Sequence, residues 1–144
     1  MPEAVIITPV KDSLNTTNLT IKAISEAKGD FEYYVFNDFS QPETKQFLEE
    51  SKKEYGFNLI HLEDITSTPS PNYKLVLEIA QKMALEKKCP LIIVESDVVI
   101  KSDSLTRLLA ILKSELKPGL IGAITVDLKG NYNFPYSFEK IKSD

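Results

Sequence analysis

Apolar residues in this chain fall into two kinds of pattern. Short unbroken runs predict strands buried on both faces, and recurrences every three or four positions predict helices. Residues 4–8 (A-V-I-I-T), 33–37 (Y-Y-V-F-N) and 58–62 are runs of the first kind. A fourth run at 91–94 leads straight into Glu95-Ser96-Asp97, and a fifth covers 120–126. Between them, residues 15–28 place Leu19, Ile21, Ala23, Ile24 and Ala27 at helical spacing, with Gly29 as the stop. Residues 42–55 read as a charged amphipathic helix ended by Gly56. Ser70-Pro71-Asn72 predicts a helix start with Ser70 as N-cap and Pro71 in the first position, running to about residue 88. A last helix is expected over 104–117, before Pro118-Gly119, and Lys129-Gly130-Asn131 is a turn. The aromatic residues Tyr132, Phe134, Tyr136 and Phe138 alternate at strand spacing and are expected to serve packing.

Strand–helix alternation with continuous apolar strands predicts an α/β fold, a three-layer αβα arrangement around a mostly parallel sheet. Crossovers of one hand bring every strand's carboxyl end to one rim. That rim would collect Lys11, Asp12, Asp38, Glu63, Asp64, Glu95 and Asp97. The sequence spreads these residues out; the fold should gather them. The loop over 63–71, rich in Thr, Ser and Pro, is the longest one, and long loops often carry function.

Composition narrows the ligand. At 144 residues the chain is expected to form one domain, 1–144, with a full core. The formal net charge is −4 and no basic stripe is present, so nucleic acid is not an expected partner. No apolar run approaches the ~20 residues that span a bilayer. The first residues lack the basic start of a signal peptide, and a single Cys89 fits a reducing compartment, so a cytoplasmic location is expected. One Cys89 and one His61 cannot build a zinc cage.

The acid pair is the chemical signal. If extended backbone continues to residue 97, Glu95 and Asp97 emerge on one face at the strand's carboxyl end, where open α/β sheets bind ligands. Two carboxylates there suit a hard divalent cation and, through it, a phosphate. Neither a G-x-G-x-x-G turn nor a G-x-x-x-x-G-K-S/T loop is present to cradle phosphate directly. His61 lies inside the short third strand, which leaves a Ser-His-Asp hydrolase without its base.

Three segments in order then resemble family 2 glycosyltransferases of the GT-A fold. Val5-Ile6-Ile7-Thr8-Pro9-Val10-Lys11-Asp12 is similar to the family's "V-I-I-P-x-Y-N" motif. Val35-Phe36-Asn37-Asp38-Phe39-Ser40-Gln41-Pro42-Glu43-Thr44 is similar to "D-D-G-S-x-D-x-T", and Glu95-Ser96-Asp97 to the "D-x-D" acids. Order and spacing agree over roughly the first 125 residues. The chain departs from the pattern at Lys11 (family Tyr), Asn37 (first Asp) and Phe39 (Gly). Asn72, Tyr73 and Lys74 occupy the start of the helix that precedes the D-x-D strand.

The resemblance implies a domain that binds a nucleotide-diphosphate sugar donor through Mg²⁺ or Mn²⁺, for transfer to a glycan or lipid acceptor. Asp97 and Glu95 would hold the metal. Thr8, Pro9, Val10, Lys11 and Asp12 would meet the nucleotide, together with Asp38, Asn72, Glu95 and Ser96. Asp38, an acceptor only, suits a base N–H or ribose hydroxyl. By the same resemblance the general base lies further along, in an acceptor-binding part, so this chain is expected to be the donor half.

Plainer readings stand beside these. Glu95 and Asp97 could end a strand as solvated acids, Asp38 could serve a turn, and Asp12 could face a helix N-terminus. His61 reads as a packed strand residue. The competing function is a non-catalytic, receiver-like signalling module. It would want acids after the first strand, a phosphoacceptor after the third and a Lys after the fifth. Asp12, Asp64 and Lys129 match loosely, and Glu95 and Asp97 would have no role. A structural fragment with a vestigial site is the third reading.

Overall fold

The computed structural model describes residues 1–114 and 116–133. The chain divides into two compact units, Met1–Leu105 and Thr106–Asp144.

The first unit alternates as the apolar pattern predicts. It contains β1 (Ala4–Val10), α1 (Leu14–Ser25), β2 (Phe31–Asn37), α2 (Pro42–Tyr55) and β3 (Asn58–His61). A single 3-10 turn (Leu62–Asp64), α3 (Tyr73–Lys87) and β4 (Leu91–Ile93) follow, and α4 (Ser104–Leu112) opens at its end. The sheet order is β3-β2-β1-β4, with every pairing parallel.

Alternation along β1 decides which helix covers which face. Ile6 and Val10 pack with Ile21 and Ile24 of α1 and Leu48 of α2. Val5 and Ile7 point the other way, to Val76, Ala80 and Ala84 of α3. Two helices therefore cover one face and α3 the other, which is the expected three-layer arrangement. The connections from β1 to β3 step one way across the sheet, and the β3-to-β4 connection steps back. Crossovers of one hand then place α3 opposite α1 and α2.

β4 is shorter than its sequence suggests, and Pro9 gives the reason. Odd-numbered residues of β1 direct their backbone groups to β4: the Val5 amide donates to Pro90 and the Val94 amide to Ile7. Even-numbered ones face β2, as the Asp38 amide bound to the Val10 carbonyl shows. The next amide owed to β4 belongs to residue 9, and proline has none. The β1–β4 register accordingly ends at Ile7 and Ile93. Glu95 to Val98 then closes a turn, the Val98 amide donating to the Glu95 carbonyl at 3.1 Å. The expectation that Glu95 and Asp97 share one face of an extended strand is therefore corrected.

Other boundaries shift for local reasons. α2 spans the expected residues and ends at Gly56, whose φ of 72° is left-handed. α1 stops at Ser25, so Gly29 (φ 127°) starts the turn into β2 and does not close the helix. α3 begins at Tyr73 with Asn72 in the cap position, so Pro71 precedes the helix and Ser70 is not its N-cap. The Ser70 hydroxyl is committed elsewhere, to Asp38.

In the second unit, α4 ends at Leu112 and not near 117. The Ser114 hydroxyl bonds back to the Ile111 carbonyl at 2.6 Å, a local partner that competes with helix continuation. The expected fifth strand over 120–126 does not form among the described residues. Only an antiparallel bridge between Val126 and Tyr132 appears, around the predicted turn at Gly130. Leu120, Ile124 and Val126 are exposed, and an apolar run builds a ladder only where another strand takes up its backbone groups. Phe134, Tyr136 and Phe138 lie outside the described residues.

Candidate functional site

Strand order 3-2-1-4 puts a topological switch point between β1 and β4. The chain leaves β1 toward β2 and β3 and then comes back to β4 on the other side of β1, and the region beyond the strands' carboxyl ends at such a reversal is where open α/β sheets take ligands. Lys11 and Asp12 follow β1, and Glu95, Ser96 and Asp97 follow its neighbour β4. Asp38 sits one strand away, after β2.

The loop after β1 is a tight joint between two rim segments. Asp12 and Ser13 both adopt left-handed backbone, with φ of 56° and 54°. Such a conformation in consecutive non-glycine residues persists only where neighbours hold it. The Asp12 amide donates to the Ser40 hydroxyl at 2.9 Å, and an Asp12 carboxylate oxygen accepts from the Gln41 amide at 2.7 Å. Gln41 occupies the N-cap position of α2, so Asp12 faces a helix N-terminus, but that of α2 and not of α1. The Lys11 ammonium bonds the Phe39 carbonyl and lies 3.7 Å from Asp12. Phe39, standing where the family pattern has glycine, takes the conformation a glycine would take (φ 55°).

Asp38 is nearly enclosed. One carboxylate oxygen accepts from the Ser70 hydroxyl and the Asn72 amide, each at 2.8 Å. The other accepts from the Asn72 side chain, also at 2.8 Å. The same Asn72 amide group reaches the Thr68 carbonyl at 2.9 Å. Burial pushes the Asp38 carboxyl up. The Asn72 and Ser70 hydrogen bonds and the nearby Lys11 charge outweigh it and hold the pKa below the ordinary aspartate value. Asp38 thus anchors the loop over 66–72. Three of its roughly four acceptor positions are used.

Glu95 and Asp97 differ in their surroundings. Both are exposed. The Tyr73 hydroxyl donates to Glu95 at 2.7 Å. Burial and then the Glu95 carboxylate push the Tyr73 pKa up to about 12. Among the described residues no group of three His, Cys, Asp or Glu side chains could hold a metal by itself. Glu95 and Asp97 stand two residues apart in one exposed turn, and a cation of the Mg²⁺ type takes only one or two carboxylates from protein and the rest of its oxygens from substrate phosphates and water.

The other sequence-chosen residues divide. Thr8 is fully buried, its hydroxyl accepting from the buried Tyr33 at 2.9 Å, and Val10 is in the core. Glu63 pairs with Lys45 and lies by β3, away from the switch point. His61 joins the Asn37 side chain at 2.9 Å to Glu49 at 2.7 Å, a packed and paired strand residue as expected. Ser40, Ser70 and Tyr73 were not among the expected site residues. Nothing in their spacing marks them, since their partners are 28, 32 and 22 positions away.

Strand order also decides between the two fold readings. A receiver-like sheet places β3 beside β1, in the order 2-1-3-4-5. Here β4 is the neighbour of β1 and β3 is an edge strand.

No protein-family model matches the chain, and no curated protein matches it. Solved structures do. TarS from S. aureus (1–349), also solved in complex with UDP, matches over 76% of this chain with a TM-score of 0.55 and 18% identity. The mannosyltransferase PcManGT from Pyrobaculum calidifontis, solved with GDP-Man and Mn²⁺, matches over 79% with a TM-score of 0.59 and 16% identity. The chain spans 32% of TarS 1–349, 19% of the longer TarS chain and 33% of PcManGT. Four parallel strands in this order, covered on both faces and similar to these structures, make the chain an α/β domain of the GT-A glycosyltransferase-like fold.

Proposed function

We propose that this chain binds a nucleoside-diphosphate sugar as the donor for glycosyl transfer, with Mg²⁺ or Mn²⁺ at Asp97 and Glu95. The observation that carries the reading is the placement of two exposed carboxylates, Glu95 and Asp97, just beyond the carboxyl end of β4, the parallel neighbour of β1. UDP in TarS, and GDP-Man with Mn²⁺ in PcManGT, are the ligand chemistries that the shared fold recommends.

In this reading the backbone of Pro9 to Asp12 and the Asp38 carboxylate meet the nucleoside. Asn72 fixes the orientation of Asp38. Lys11 keeps the Phe39 turn in place, and Ser96 lies in the turn that carries both acids. The metal, when bound, supplies Lewis-acid stabilisation of the departing diphosphate. The acceptor class is a hydroxyl of a glycan or lipid.

Calorimetric titration of UDP, GDP and CDP, each with and without Mn²⁺ or Mg²⁺, tests the proposal. Binding of one nucleotide that strengthens with metal is the expected result. No binding at millimolar nucleotide with either cation would sink it.

A further inference from the structure

Two consecutive residues at the start of α3 are tied to opposite sides of β1. Asn72 donates to Asp38, which follows β2, and the Tyr73 hydroxyl donates to Glu95, which follows β4. β2 and β4 are the two neighbours of β1. The pair therefore bridges the carboxyl end of β1, a span of about 10 Å at two strand spacings. It links the part of the rim assigned to the nucleoside with the part assigned to the metal.

Glu95 needs such a partner. It lies beyond the end of β4, on an exposed turn, with no ladder to fix it. A free glutamate must lose its rotamer freedom when it takes up a ligand. A hydroxyl donating to one carboxylate oxygen forms a short, charge-assisted bond and leaves the second oxygen available. Tyr73 is itself 42% exposed, so its hydroxyl is not required by the core. Asn72 beside it is 8% exposed and held by Asp38, which makes the tyrosine's base rigid.

We propose that Tyr73 is a positioning residue for the metal–diphosphate end of the donor site, holding Glu95 through one carboxylate oxygen so that the other joins Asp97 on the cation. The inference rests on the donor-site reading above. Tyr73 orders Glu95 before the ligand arrives, and its effect belongs to the metal-dependent part of nucleotide binding alone.

Calorimetry on Tyr73→Phe with UDP and GDP, with and without Mn²⁺, separates these contributions. The expected result is about a tenfold loss in the strengthening that Mn²⁺ gives, as for other residues that orient a metal ligand. Metal-free affinity should equal that of the wild type. In a Glu95→Gln background the same substitution should cost nothing more. Full Mn²⁺ strengthening in Tyr73→Phe, equal losses with and without metal, or losses that add in the double variant would each overturn the inference. So would loss of helical circular dichroism in Tyr73→Phe, which would assign the hydroxyl to the fold. Failure of the wild type to bind nucleotide with metal removes the donor-site reading itself. That outcome is distinct, because it appears before any variant is made.

Discussion

Asn72 grips both oxygens of Asp38: its backbone amide donates to one and its side-chain amide to the other, each at 2.8 Å. The two residues are 34 positions apart, and the contact fixes the end of the loop over 65–72 against the end of β2. It places α3 at the rim.

This grip predicts an acid-sensitive fold. The Asp38 pKa is depressed in the folded chain, so the carboxylate stabilises the fold above its unfolded pKa of about 3.9. That contribution is lost as pH falls through the folded value. Asp38→Asn sets an amide N–H₂ against the donors of Asn72 and Ser70 and should cost about 2–3 kcal/mol at neutral pH. Urea denaturation of both proteins from pH 7 down to pH 2.5 measures it. The gap should be constant to about pH 4 and shrink below it; a gap independent of pH would show that the charge has no part.

Asp38→Ala should weaken nucleotide binding by about 1–3 kcal/mol, the usual cost of losing a hydrogen bond to a charged group. The loss should appear with and without metal, because the proposed partner of Asp38 is the base or ribose. Calorimetry at a temperature where the variant stays folded is the measurement. Unchanged nucleoside affinity would leave Asp38 as an anchor for residues 70–72 only.

Asp97→Asn keeps the side-chain shape and removes the charge. Metal-dependent strengthening of diphosphate binding should collapse, and metal-free affinity should hold or rise as one anion leaves the rim. Glu95→Gln should have a smaller effect, since Tyr73 already occupies one of its oxygens. Equal Mn²⁺ strengthening in Asp97→Asn and the wild type would return Asp97 to an ordinary solvated turn.

Gly56→Ala should destabilise the chain by about 1 kcal/mol or somewhat more. A Cβ at this position meets nothing within 4 Å, so the cost is purely that of a left-handed φ of 72° at the end of α2. Thermal unfolding reads it. No loss of stability would mean that α2 ends without that conformation.

The layering was legible because it depends on local pattern. Alternation of buried strands and amphipathic helices is a property of neighbours in sequence, and so is a glycine stop such as Gly56. The acids of the rim followed from one rule of handedness applied to that alternation. Pro9 was also legible in principle. Its missing N–H ends the β1–β4 ladder and turns Glu95 and Asp97 out of the strand, yet its consequence depends on knowing that β4, and not β3, lies beside β1.

An α/β sheet with carboxylates beyond the carboxyl ends of its strands could be read from residue order, since burial and periodicity act over a few residues. Tertiary structure alone decided strand order, the excluded receiver-like arrangement, and the partners of each acid. Asp38 found Ser70 and Asn72, Glu95 found Tyr73, and Asp12 found Gln41. These contacts join residues more than twenty positions apart. Hydrogen bonds depend on distances and angles that only the folded backbone sets, and no periodicity along the chain encodes them.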